Sequence, residues 1–148
     1  MDRPRILVAG TQHAFELCRR VLGEEAEIVC AGSLREALAR LDESISLIVC
    51  SVRFDESRMF EFLHAVQTHA TASEIPVICV RTGRAALSRS TRDAIAAATE
   101  ALGVHDFIDM HALEQRVGTG AAEETLRQTV RTRLQPWAPP GAHDGRRV

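Results

Sequence analysis

Short continuous apolar runs alternate with longer stretches of helical period along this chain. RILVAG at 5–10, AEIVCA at 26–31, SLIVCS at 46–51 and IPVICV at 75–80 have strand length and few polar interruptions. Such runs fit strands buried on both faces of a sheet. Between them, HAFELCRRVL at 13–22, LREALARL at 34–41, SRMFEFLHAVQT at 57–68 and STRDAIAAATEAL at 90–102 place apolar residues at helical spacing. Met59, Phe62, Leu63 and Val66 share one face of the third. Ser33 and Glu36 form a capping-box pair before the second. Pro76 opens the fourth strand and Gly103 ends the fourth helix. Residues 105–109 give a fifth strand. Five strand–helix alternations with short connections predict a parallel sheet covered by helices on both faces.

The last third is less regular. Gly118-Thr119-Gly120 interrupts a helix begun at 112. Helix resumes over AAEETLRQTVRTRL, with Thr119 or Gly120 near its cap. Ala122, Leu126, Val130 and Leu134 form its apolar stripe, and Glu123 and Glu124 suit its first turn. Residues 136–148 (PWAPPGAHDGRRV) hold three prolines and two glycines and read as a disordered tail to a single domain over 1–135.

Composition narrows function mainly by exclusion. The 148 residues suit one domain with a real core. A net charge of −2 leaves no electrostatic footprint for nucleic acid or an anionic membrane. No apolar run approaches the ~20 residues of a spanning helix. MDRPRILVAG runs straight into a strand without a signal-peptide layout, so the cytoplasm is the expected compartment. Cys18, Cys30, Cys50 and Cys79 make no CxxC pair and read as buried, reduced thiols. The six histidines form no HExxH pattern, VAGTQHAF lacks GxGxxG, and no lysine follows GTG at 118–120. No cofactor or metal is indicated. All 18 basic residues are arginine, so the chain has no lysine.

LIVCSVRF followed by FEFL, with GVHDFIDM downstream, resembles the receiver domain of bacterial response regulators over about residues 4–112. The resemblance implies a flavodoxin-like three-layer α/β/α fold with strand order 2-1-3-4-5. It also implies where phosphorylation chemistry should stand: an acidic pair after strand one, an aspartate ending strand three, a Thr or Ser ending strand four, and Lys-Pro after strand five. Here those places hold Gly10 and Thr11, Ser51, Arg81, and Met110-His111. Neither Gly10 nor Thr11 supplies the carboxylate a divalent cation needs. Ser51 is a weak nucleophile without an adjacent base. Phe107 stands at the family's aromatic switch position. The altered set implies a pseudo-receiver that takes no phosphoryl group.

Two classes of function follow. The first is a non-enzymatic interaction module in bacterial two-component signalling. By resemblance it docks a protein partner, or a second copy of itself, through the face of the fourth helix, fifth strand and fifth helix over residues 90–134. The second is a sensor binding an anion or nucleotide at the switch-point crevice, in a mouth lined by Arg81, Arg84, Gly10 and Thr11. In that setting the Arg81 guanidinium is expected to pair with Asp55, Glu56 or Asp106. Asp55 and Glu56 otherwise read as solvated loop acids.

Overall fold

The computed structural model describes residues 3–56, 58–83 and 87–134. Five strands, β1 (Arg5–Ala9), β2 (Glu27–Ala31), β3 (Leu47–Ser51), β4 (Val77–Arg81) and β5 (Asp106–Asp109), form one parallel sheet in the order β2-β1-β3-β4-β5. Six α-helices follow in turn: α1 (Gln12–Leu22), α2 (Leu34–Arg40), α3 (Met59–Thr68), α4 (Arg89–Ala101), α5 (Met110–Val117) and α6 (Thr119–Leu134). This is the expected flavodoxin-like α/β/α arrangement. Residues 135–148, including the segment read as a tail, lie outside the described residues, as does Ser57.

Strand alternation builds two cores, one on each side of the sheet. Leu7, Ala9, Ile48, Cys50, Val77 and Cys79 pack beneath α2 and α3 with Met59, Phe62, Leu63 and Val66. Ile6, Val8, Leu47, Val49, Ile78 and Val80 face the other way, onto α1 and α6. Phe54 and Phe62 meet edge to face, their centroids 5.5 Å apart. Of the stripe expected on α6, Ala122, Leu126 and Val130 are buried, and Leu134 is partly buried against the same core. Cys18, Cys50 and Cys79 are buried and Cys30 half-buried, all unpaired by disulfides. Burial pushes the Cys18 thiol up to about 12.

Local signals set most boundaries. Thr11, Ser33 and Ser88 each accept the amide three residues on and start α1, α2 and α4. Glu36 reaches back as expected, but to the amide of Gly32 rather than that of Ser33. Gly103 adopts φ +87° after α4, a conformation that favours glycine. The fourth strand ends at Arg81, one residue beyond the expected limit, so Arg81 is a strand residue. The helix expected from 112 starts instead at Met110, because the Asp109 carboxylate caps it through Ala112 N at 3.1 Å. Gly118, at φ +91°, ends α5, and α6 begins at once. Among the described residues no helix is long and apolar enough to cross a membrane.

Candidate functional site

The carboxyl ends of β1, β3, β4 and β5 meet at one edge of the sheet, where α/β folds of this order place their sites. Two corners of that edge differ in construction. At the first, Gly10 follows β1 and donates its amide to Ala31 O at 3.1 Å. A Cβ at Gly10 would come within 3.0 Å of both the Ala14 Cβ and the Ser51 Cβ. Neither neighbour is the far end of a flexible side chain, so any larger residue must push backbone-anchored atoms aside. Ser51 is buried, and its hydroxyl accepts the Arg53 amide at 3.3 Å. Thr11 is taken up as the cap of α1, accepting from Ala14 N at 3.3 Å. No base is bonded to the Ser51 hydroxyl among the described residues.

At the second corner Arg81, on β4, and Asp109, on β5, are cross-strand partners. One guanidinium nitrogen of Arg81 lies 3.2 and 3.1 Å from the two Asp109 oxygens. Both side chains are less than a tenth exposed. The pairing differs from the expectation. Among the described residues the carboxylate that Arg81 is seen to meet is Asp109, where Asp55, Glu56 or Asp106 was expected. Asp55 instead accepts the amide of Leu34 at 2.7 Å, tying the β3–α3 loop to the start of α2. Asp106 is held by Arg133 at 2.6 Å. Register explains the choice, because Arg81 and Asp109 end adjacent strands at the same level.

Alternation also separates the two corners. Gly10 and Ser51 follow residues that face α2 and α3, so they turn towards α1. Arg81 and Asp109 carry the opposite parity and turn towards α4. Of the residues expected to line an anion mouth, Gly10 and Thr11 thus stand on the α1 side and Arg81 on the opposite parity. Arg84 lies outside the described residues.

The remaining sites fall as follows. Met110, at the place of the family's lysine, is buried under α6 as the first residue of α5. Phe107 is partly buried against the α2–α3 core. His69 accepts the amides of Thr71 and Ala72 at 3.1 and 3.0 Å, a local turn role. Among the described residues no group of three or more His, Cys, Asp or Glu is placed to hold a metal ion.

No protein-family model matches the chain. No curated protein matches its sequence. Solved structures do match. The receiver domain of a LuxO repressor protein from Vibrio parahaemolyticus superposes with a TM-score of 0.65 at 18% identity, over 90% of this chain and 92% of that one. The chain has the receiver fold. The chemotaxis protein CheY4 of Vibrio cholerae superposes equally well, at 0.65 and 19% identity, over 90% of this chain and all of the other. A CheY-like receiver domain from Methanospirillum hungatei gives 0.63 at 15% identity, over 91% and 99%. Against the family layout implied by the sequence, the receiver fold here carries packed glycine and serine at one strand-end corner and an arginine–aspartate pair at the other.

Proposed function

We propose that the chain is a pseudo-receiver, an interaction module of bacterial signalling that works by contact with another protein and takes no phosphoryl group. The observation that carries this reading is the closed β1–β3 corner. A Cβ at Gly10 would stand only 3.0 Å from the Cβ atoms of Ala14 and Ser51, and the acceptor aspartate, acidic pair and lysine of the receiver layout are replaced together. A metal-assisted transfer needs those groups as a unit. The receiver neighbours support a signalling role, and the expected compartment is the cytoplasm. The docking surface proposed is the face of α4, β5 and α6, to a protein partner or a second copy.

That face needs one refinement. Arg127 of α6 is bonded to Glu124 and to Val21 O, and stands 4.0 Å from Glu25. Arg131 meets Glu25 at 2.7 Å, and Arg20 meets Glu123 at 2.6 Å. On this side of α6 these ion pairs tie the helix to α1 and the α1–β2 turn, which leaves α4 and β5 as the less engaged part of the proposed face.

Incubation with acetyl phosphate or beryllofluoride and Mg²⁺ tests the proposal, read by intact mass and amide NMR. The expected outcome is an unchanged mass and an unchanged spectrum. A gain of one phosphoryl group, or Mg²⁺-dependent shifts clustered at Ser51, defeats it.

A further inference from the structure

We infer that the cavity between α1 and α5 binds a small hydroxylated ammonium compound, of the amino-alcohol or amino-sugar class. This goes beyond the interaction-module reading and does not depend on it. α1 offers His13, Leu17 and Arg20, spaced along one helical face, and α5 offers Met110, His111 and Glu114. Between them lies a cavity of about 370 Å³. Thr82, just beyond β4, and Thr119, just past the Gly118 turn, complete its wall. Leu17 and Met110 are buried and form an apolar floor. The site is separate from both strand-end corners, since Gly10, Ser51, Arg81 and Asp109 are not among its lining residues.

Charge decides the sign of the ligand. Arg20 is the one guanidinium in the lining, and Glu123 holds it at 2.6 Å. It also feels the charges of Glu114 and Glu16, so one positive group faces three negative ones. Glu114 is half-buried, and among the described residues its carboxylate makes no hydrogen bond or ion pair. An anion entering here would meet that excess and find the arginine already engaged. A cation would relieve it. No set of three His, Cys, Asp or Glu among the described residues is placed to hold a metal ion, so an organic cation fits better. The uncharged polar groups specify the rest. Among the described residues the side chains of His13, His111 and Thr82 are also without hydrogen bonds. A neutral imidazole and a hydroxyl each donate and accept, which suits a ligand rich in hydroxyl groups. An apolar amine would leave those groups unpaired. An ammonium on Glu114, with hydroxyls along the two imidazoles and Thr82, engages both sets.

The test titrates isotope-labelled protein in phosphate buffer with glucamine, sorbitol and gluconate and follows amide shifts. The three share one hydroxylated chain and end in an ammonium, a hydroxyl and a carboxylate. Glucamine is expected to shift His13, His111, Glu114 and Thr119, and the other two to bind more weakly by about fivefold or more. Glu114→Gln is expected to weaken glucamine binding by about fivefold, and His13→Ala with His111→Ala to weaken it as well. Glu74→Gln removes the same charge at the opposite end of β4 and is expected to leave binding unchanged. The variants' own spectra check that they are folded. Absence of shifts up to tens of millimolar glucamine, shifts elsewhere, equal binding of sorbitol or gluconate, or unchanged binding by the folded Glu114 variant overturns the inference. So does an equal loss on Glu74→Gln, which would mark a general effect of net charge. None of these outcomes bears on phosphoryl uptake, which tests the pseudo-receiver reading by itself.

Discussion

Gly10 and Ser51 close the β1–β3 corner with no charge at all, whereas Arg81 and Asp109 close the β4–β5 corner with two buried ones. The first closure is a matter of volume. It depends on the absence of a Cβ and should be indifferent to salt and pH. The second is a matter of pairing. Two ions taken from water are costly, and their attraction offsets that cost only while both partners and their hydrogen bonds remain. The same strand-end edge is thus closed by two different kinds of interaction. A carboxylate added at the first corner meets crowding, and one removed from the second exposes the cost hidden there.

The largest expected effect lies at the paired corner. Asp109→Ala leaves the Arg81 guanidinium without its carboxylate and α5 without its cap. We expect a loss of about 3–5 kcal/mol by urea unfolding. Asp109→Asn keeps a capping oxygen and should lose about 1 kcal/mol less. Arg81→Met should cost less than Asp109→Ala, because Arg92 stands 3.9 Å from the remaining carboxylate. The double change Arg81→Met with Asp109→Leu should lie nearer wild type than Asp109→Ala does. If Asp109→Ala unfolds within about 1 kcal/mol of wild type, the pair is not the buried ion pair described.

The packed corner should respond more modestly. Gly10→Ala places a methyl group 3.0 Å from two fixed Cβ atoms, and overpacking of this kind costs about 1–3 kcal/mol. Gly10→Asp should cost at least as much and should not confer phosphorylation, even with Ser51→Asp. Thermal unfolding at low and high salt separates the mechanisms, since the alanine penalty should not change with ionic strength. A neutral or stabilising Gly10→Ala would show that the corner has room, and a restored acidic pair would again be worth building.

Sequence reasoning located the sheet order through the receiver resemblance, and the positions of Gly10, Ser51 and Met110 followed from where apolar strands stop. Those are local signals. The partner of Arg81 was not legible because it depends on register between β4 and β5, a relation between residues 28 apart in the chain. A usable signal was present. VICVR and DFID each end in a charged residue, of opposite sign, on strands adjacent in the implied order. Asp109 ahead of MHALEQRV was likewise a readable cap for α5. The fate of Arg127 was harder. The periodicity of α6 marks its apolar stripe, but nothing local says that its polar flank meets Glu25 of the α1–β2 turn.

The smallest expected effect decides whether the two corners are separate. If alternation keeps Ser51 on the α1 side and Arg81 on the α4 side, their substitutions act independently. Ser51→Asp should destabilise by burying a carboxylate beside Gly10. Arg81→Ala should destabilise by stranding Asp109. The double variant should lose the sum of the two, with a coupling below about 0.5 kcal/mol. A rescue, in which Arg81 offsets the new aspartate by more than about 1 kcal/mol, would mean that the guanidinium reaches across the sheet end. The two corners would then form one charged crevice, and an anion sensor would gain support. Urea unfolding of the four proteins at one salt concentration measures the coupling directly.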